Sequence, residues 1–304
     1  MGKVVILGVV VADTAYRAAR MPNMGETIMG TSFTLGPGGK GSNQAVASAR
    51  MGAETHIISK LGQDDFSKLA FDTWRKAGVI PHVQQLSSSY TGAAHIFIED
   101  STGDNAIIVA PGAATLIDIA FIHAHAALIA DSDVFVTQLE QPMDAAMCGL
   151  EIARAAGVTT VLNPAPAAIL PDGMLALCDY VTPNETECEF LTGISVRTQS
   201  QAKRACDVLR DLGVGTPIIT MGEQGAFVHG LGLVPAVIAG NVIETTGAGD
   251  AFNGGFAAAL AEKRTPLDAV RFGCATAGIS VTKAGTAPSM PSRNMVDRLM
   301  RSGN

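Results

Sequence analysis

Val4 to Val11 (VVILGVVV) is an unbroken apolar run, the pattern of a strand covered on both faces. Asp13 closes it. From Thr14 to Leu35 the pattern breaks into turn residues and short alternating pieces, which predicts a small antiparallel excursion. Gly36 to Gly52 reads as a Gly-rich loop running into an Ala-rich helix. A strand over His56–Leu61, a helix over Phe66–Ala77 and a turn at Gly78 follow. Ala93–Glu99 and Asn105–Val109 flank a turn at Ser101–Asp104, a hairpin that can pair with the earlier excursion.

Beyond this the alternation is regular. Strands are predicted at Val134–Leu139, Thr159–Leu162, Tyr180–Thr182 and Ile218–Met221, with helices at Met143–Ala156 and Gln199–Leu212. Ala226–His229 and Leu233–Ile238 read as antiparallel strands near one edge. Two closing helices start at Ala251 and Pro266. A βαβα order of this kind implies an α/β fold, a mostly parallel sheet covered by helices on both faces. No repeat, low-complexity tract or long linker interrupts the 304 residues, so a single domain over 1–304 is expected.

Charge narrows the partners. A net charge of -7 offers no basic surface to nucleic acid or to anionic lipid, so any phosphate site must be built locally. The five cysteines form no CxxC pair and are odd in number, which points to free thiols in a reducing compartment. The N-terminal apolar run lacks a cleavage pattern. Neither it nor the run from Ile119 to Ala130 is long enough to span a bilayer, so a cytoplasmic location is expected.

The stretch richest in chemistry is TTGAGDAFNGG, Thr245 to Gly255. Gly247, Ala248 and Gly249 suit a tight turn, and from Ala251 the chain reads as a helix of small residues. Turn amides and a helix N-terminus then converge on one point, which makes an anion site. Asp250 stands at its mouth. A carboxylate there would repel a phosphate, so its natural role is that of a base taking a proton from a hydroxyl while the hole stabilises the group under attack. The plain alternative is a Gly-rich turn with Asp as an N-cap. Polar residues also gather where strands end, the usual place for ligands in such sheets: Asp13, Gln138, Glu140, Gln141, Asn163, Asn184, Glu185, Glu187 and Thr220, the last with Gly222 in ITMGEQG.

Other motifs are weaker. GPGGKG matches GxGxxG, but the loop does not join the first strand to its helix and no acidic residue closes a strand at the right offset. GGKGS does not fit a Walker A loop. Lys40 and Asn43, at the head of a helix, can instead meet the hydroxyls of a polyol. His123 and His125 lie two apart on a predicted helix and point to different faces, a poor metal pair. There is no GxSxG.

Taken together, GGKGSNQA (Gly38–Ala45), TQLEQP (Thr137–Pro142), LNPAPA (Leu162–Ala167), TPNETE (Thr182–Glu187), TMGEQG (Thr220–Gly225) and TTGAGDAFNG resemble the PfkB/ribokinase family of carbohydrate kinases over nearly the whole chain. The resemblance implies a ribokinase-like fold and ATP-dependent phosphorylation of a sugar hydroxymethyl group. It casts Asp250 as the base, with Gly247, Ala248 and Gly249 forming the anion hole. Asp13, Gly39, Lys40, Asn43 and Glu140 would bind sugar hydroxyls. Asn184 and the loop of Thr220, Met221, Gly222, Glu223, Gln224 and Gly225 would hold ATP, while Glu187 would help place Mg²⁺ through water. The β excursion, about 13–34 with 93–108, would be a lid over the sugar and the contact of a homodimer.

Two departures stand out. Ribose-specific members usually read N-A-D where this chain has Val11, Ala12 and Asp13. Glu244 stands where they commonly carry Asp as a ligand of an activating K⁺; the other candidate ligands are Thr246, Ser280, Lys283, Gly285 and Ser289. Ribose to ribose 5-phosphate is the first expectation. The alternatives are deoxyribose, a ketohexose or a nucleoside as acceptor, a sugar-binding protein that has lost catalysis, and, remotely, an NAD(P)-dependent oxidoreductase.

Overall fold

The computed structural model describes residues 2–302. In chain order the elements are β1 (Lys3–Leu7), β2 (Val11–Ala18), β3 (Ser32–Gly38), α1 (Lys40–Arg50), β4 (Glu54–Gly62), α2 (Asp65–Ala77), β5 (Ile80–Leu86), β6 (Thr91–Glu99) and β7 (Asn105–Gly112). They continue as α3 (Ile119–Ala124), α4 (Ala126–Ala130), β8 (Val134–Thr137), α5 (Met143–Ala155), β9 (Thr159–Leu162), β10 (Tyr180–Val181), α6 (Glu185–Thr192), α7 (Gln199–Asp211) and β11 (Thr216–Thr220). The chain closes with β12 (Gly225–Val228), β13 (Gly232–Pro235), α8 (Ala248–Ala261), α9 (Pro266–Ser280) and α10 (Arg293–Arg301).

A 9-stranded sheet has the order β13-β12-β11-β10-β9-β8-β1-β4-β5. Every pairing from β11 to β5 is parallel, and only the β11–β12 and β12–β13 pairings are antiparallel. The expected α/β class holds. Alternate residues of β1 serve opposite cores. Val4 and Ile6 pack with Trp74, Phe256, Phe272 and Val296 under α1, α2, α8, α9 and α10. Val5 and Leu7 pack with Ile122, Ile129, Phe135, Leu150 and Leu209 under α3, α4, α5 and α7. Burying each such side chain contributes roughly 1.5–3 kcal/mol, so both faces of the sheet are needed to hold it. All five cysteines are free and buried. Burial pushes the Cys188 thiol up to about 11.

A second, 4-stranded sheet has the order β3-β2-β6-β7. It corrects the reading of the first apolar run. That run is not one strand: β1 stops at Leu7, the chain crosses at Gly8, and Val11 opens β2 in the other sheet. Val9 and Val11 are buried between the sheets, so the apolar pattern continues although the strand does not. Asp13 therefore does not close β1. It lies within β2, paired with Gly36 on one side and Ala94 on the other. Gly36–Gly38 belongs to β3 rather than to a loop.

Several elements escaped the hydrophobic pattern. β5 is an edge strand carrying Pro81, with His82, Gln84 and Gln85 interrupting its apolar residues. The run from Ile119 to Ala130 breaks at His125 into two short helices. α6 is set by a capping box between Asn184 and Glu187. A third closing helix, α10, follows the two expected. The final strand stops at Pro235 rather than Ile238, and α8 begins at Ala248, three residues before the expected start.

Candidate active site

The chain lays down β1, β4 and β5 on one side of the sheet and then returns to place β8 on the other side of β1. This reversal opens a crevice beyond the carboxyl ends of β1 and β8, the position at which open α/β sheets take ligands. Two helix N-termini enter it, α1 from Lys40 and α8 from Ala248. Gly39 precedes α1 with φ 88°, and a Cβ there would lie 2.6 Å from the Val9 carbonyl oxygen, so only glycine fits. α8 reaches α1 because Gly254 presents no side chain; a Cβ would lie 2.4 Å from that of Ala47 and 2.6 Å from the Gln44 carbonyl oxygen.

That close approach brings Asp250 against α1. The carboxylate is 6% exposed. Its Oδ2 accepts from Asn43 Nδ2 at 2.9 Å and its Oδ1 from Gln44 Nε2 at 3.1 Å. Burial raises its pKa, while Lys40 and the two amides favour the charged form. The Asn43 side chain is spent only at its nitrogen. Its Oδ1 is a buried acceptor with no partner among the described residues, a site that a ligand hydroxyl would satisfy.

Gly247, in the left-handed region at φ 79°, is the N-cap of α8. The expected turn Gly247–Gly249 is thus a cap and the first helical residues. The Ala248 amide donates to the Thr245 carbonyl at 3.1 Å. Gly247 and Gly249 line the cleft with Asp250, Lys40, Asn184, Glu187 and Thr220, around a space of about 140 Å³. First-turn amides have no carbonyl one turn back, so they point a positive field into this space.

Acidic side chains surround Lys40. Its own N–H donates to Glu140 Oε2 at 2.8 Å. Burial works against the Lys40 ammonium, but Asp250, Glu140 and Glu187 outweigh it and raise its pKa. Burial lifts Glu140 to about 7, against the Lys40 amide and charge. Asp13 is lifted to about 6 by burial and then by Asp250. It reaches the crevice from the second sheet, its carboxyl lying over Gly38 where a Cβ would clash at 2.2 Å.

On the far side, Glu187 and Asn184 bond reciprocally: Asn184 Oδ1 accepts from the Glu187 amide at 2.8 Å, and Glu187 Oε2 from the Asn184 amide at 2.9 Å. Burial raises the Glu187 pKa against these partners. Met221 is buried in a small core with Cys188 and Cys206, so its side chain faces away from the cleft. Gly222–Gln224 forms one 3₁₀ turn, and Glu223 and Gln224 are exposed. Of the remaining candidates, Glu244 and Gly285 meet near the Gly247–Gly249 turn. Glu244 Oε2 accepts from the Gly285 amide at 2.9 Å, the Glu244 amide donates to Val281, and Ser289 Oγ donates to the Thr286 carbonyl. Thr286 packs against Gly247, so Thr246, Ser280, Lys283 and Gly285 lie on segments that support the turn.

Three side chains given no role by the sequence join this site. Gln44, Thr182 and Asn253 form a buried polar chain through Asn163 that ends on the Gly249 carbonyl. Their positions inside GGKGSNQA, TPNETE and TTGAGDAFNG were the available signal. Among the described residues no cluster of three or more His, Cys, Asp or Glu could hold a metal ion, and no helix is long and apolar enough to cross a membrane.

A buried carboxylate beside helix-N-terminal donors, at the switch point of a doubly covered parallel sheet, is the arrangement that suits group transfer to a hydroxyl. The chain belongs to the pfkB family of carbohydrate kinases, whose model matches residues 1–293. It is 41% identical over 292 residues to the ribokinase of Haemophilus influenzae, covering 95% of each chain. It is 33% identical over 298 residues to the deoxyribokinase of Salmonella typhi, again covering 95% of each. Its fold superposes on Arabidopsis thaliana ribokinase complexed with ribose and ATP at a TM-score of 0.94, with 29% identity and 99% of each chain covered. The fold is accordingly ribokinase-like.

Proposed function

We propose that this protein transfers the terminal phosphoryl group of ATP to the hydroxymethyl oxygen of a pentose, with ribose to ribose 5-phosphate as its reaction. The observation that carries this reading is the pairing of a buried, doubly held Asp250 with the unpartnered Asn43 Oδ1 beside it. A sugar offers several hydroxyl donors at fixed spacing. Asn43 Oδ1, Asp13 and Glu140 are the acceptors they need, with Gly39 and Lys40 forming the same wall. Asp250 takes the proton of the attacking hydroxyl as its oxygen bonds to phosphorus and the bond to the ADP oxygen breaks. The Gly247 and Gly249 amides, with Ala248 shaping the turn, and the Lys40 ammonium receive the charge on the moving group. Positioning and charge stabilisation account for most of such a transfer.

ATP would lie over Asn184 and the loop from Thr220 through Met221, Gly222, Glu223 and Gln224 to Gly225. Mg²⁺ fits as a companion of the phosphates rather than a resident ion: the described acidic groups make no cluster for it, and Glu187 can meet it through water. The ion would neutralise phosphate charge. K⁺ suits an all-oxygen donor set, the Glu244 carboxylate with Thr246, Ser280, Lys283, Gly285 and Ser289, and would stiffen the anion turn.

The second sheet would act as a lid. Asp13 shares its inner face with Ala94 and Val109, while Tyr16, Phe33, Leu35 and Ile108 fall on the outer face and are exposed. Such an apolar face would bury itself in a homodimer.

A second acceptor, deoxyribose, is favoured by one observation. Val11, 7% exposed at the root of β2, offers no hydrogen bond where ribose-specific relatives carry an amide. A screen of ADP release with ribose, deoxyribose, a ketohexose and nucleosides, with and without K⁺, tests the reading. Ribose is expected to give the highest kcat/KM; ADP release that no sugar stimulates would overturn it.

A further inference from the structure

Asp250 is held by two neighbouring amides of α1, and they differ in what their other ends do. Asn43 Oδ1 is unpartnered. Gln44 is saturated: it is fully buried, its Nε2 donates to Asp250 Oδ1 and to Asn163 Oδ1, each at 3.1 Å, and its Oε1 accepts from Gln138 Nε2 at 2.6 Å. Both N–H groups of an amide nitrogen are thereby used, so Gln44 has no donor left for a substrate.

The hydrogen bonds then run onward. Asn163 Nδ2 donates to the Thr182 carbonyl at 3.2 Å, Thr182 Oγ1 to Asn253 Oδ1 at 2.7 Å, and Asn253 Nδ2 to the Gly249 carbonyl at 2.9 Å. A buried path therefore leaves the Asp250 carboxylate through Gln44 and returns to the residue just before Asp250. It ties α1, the ends of β8, β9 and β10, and the first turn of α8 into one figure.

Resting on the reading of Asp250 as the base, we propose that Gln44 is a positioning residue for phosphoryl transfer. Clamped by Gln138 and Asn163, it fixes the rotation of the Asp250 carboxylate relative to the Gly249 turn whether or not sugar is bound. Asn43, by contrast, couples that carboxylate to the sugar. Both neighbours hold the base in the empty enzyme, but only Asn43, through its unpartnered Oδ1, also links it to the sugar. A carboxylate free to rotate about its Cβ–Cγ bond would present its basic lone pair to the hydroxyl only part of the time. The charged groups facing Asp250 are Lys40, Asp13, Glu140 and Glu187. All four remain when Gln44 is replaced, so a change in the titration of activity would report the lost amide.

The test compares Gln44→Met, Gln138→Met and the double variant with wild type and with Asp250→Asn, using ribose and Mg-ATP. Loss of a hydrogen bond to a charged group should lower the kcat of Gln44→Met by roughly 10- to 100-fold. KM for ATP and sugar should stay within about threefold, and the acid limb of kcat should move to higher pH because the ionised base has lost a donor. Gln138→Met should show the same pattern more weakly. The double variant removes the donor that Gln44→Met leaves orphaned, so it supplies the reading if the single variant does not fold. Asn43→Ala should differ by raising the sugar KM. A folded Gln44→Met or double variant with wild-type kcat and acid limb, alongside an inactive Asp250→Asn, overturns the proposal alone. An active Asp250→Asn overturns the reading of the base as well.

Discussion

Asn43 and Asp250 stand 207 residues apart in the chain, and Nδ2 of the first donates to Oδ2 of the second over 2.9 Å. This bond joins the head of α1 to the head of α8, so the two helix N-termini that frame the crevice are locked at the atom expected to do the chemistry.

Replacing Asp250 by Asn removes the base but keeps the shape. General-base assistance is typically worth ~10²–10⁴-fold, so kcat should fall by about that range. KM for ATP should change little if, as proposed, the nucleotide is held from the wall of Asn184 and the Thr220–Gly225 loop. Steady-state kinetics check both; a variant within tenfold of wild type would refute the role.

The acidic wall predicts opposite pH trends for stability and activity. Asp13 rises from 3.8 to about 6 and Glu140 from 4.5 to about 7, chiefly through burial. The folded chain therefore keeps these protons where the unfolded chain has lost them. Their contribution to stability is fully present below about pH 4 and is lost as pH rises toward 7. Ionisation makes better acceptors, so the sugar KM should fall across the same window. Glu140→Gln should flatten the upper part of the Tm profile of the unliganded protein; an unchanged profile would contradict the assignment.

Val11 lies against Gly92 at the root of β2, where a Cβ on Gly92 would meet it at 2.9 Å. Val11→Asn supplies an amide at that point. A restored hydrogen bond to a buried partner is worth about 1–3 kcal/mol, which should favour ribose over deoxyribose by roughly 5- to 150-fold in kcat/KM. Competition between the two sugars reads the ratio directly, and no change in it would leave Val11 without a part in specificity.

Gly254→Ala should push α8 away from α1. Overpacking of a tight contact costs roughly 1–3 kcal/mol. Urea denaturation should show the loss, together with a fall in kcat, since the displaced helix carries Asp250. Wild-type stability would mean that the helices yield more easily than their contact allows.

Ile108 is 65% exposed on the outer face of the small sheet, the face it shares with Phe33 and Tyr16. Ile108→Asp should dissociate the proposed dimer. Sedimentation velocity of the two proteins at equal concentration distinguishes the outcomes, and a wild-type protein that sediments as a monomer would exclude this use of the face.

Local pattern and motif determined much of this protein. The strands β8, β9 and β11 are short stretches of β-branched and apolar residues, and α7 buries Ala202, Ala205, Cys206 and Leu209 at helical spacing. The cleft residues Lys40, Asn184, Glu187, Thr220 and Asp250 stand in motifs with their own turn chemistry. What local pattern could not decide was where a continuing apolar run changes sheet, as at Gly8, because Val9 to Val11 are buried on either reading. Nor was α6 found, whose limits are set by its capping box, or α10, whose apolar stripe of Met295, Val296 and Leu299 runs over only 9 residues. Above all, only the tertiary structure could show that Gln44 touches Asp250. A hydrogen bond needs atoms within about 3 Å, and distance along a chain carries no information about that once helices pack through a glycine.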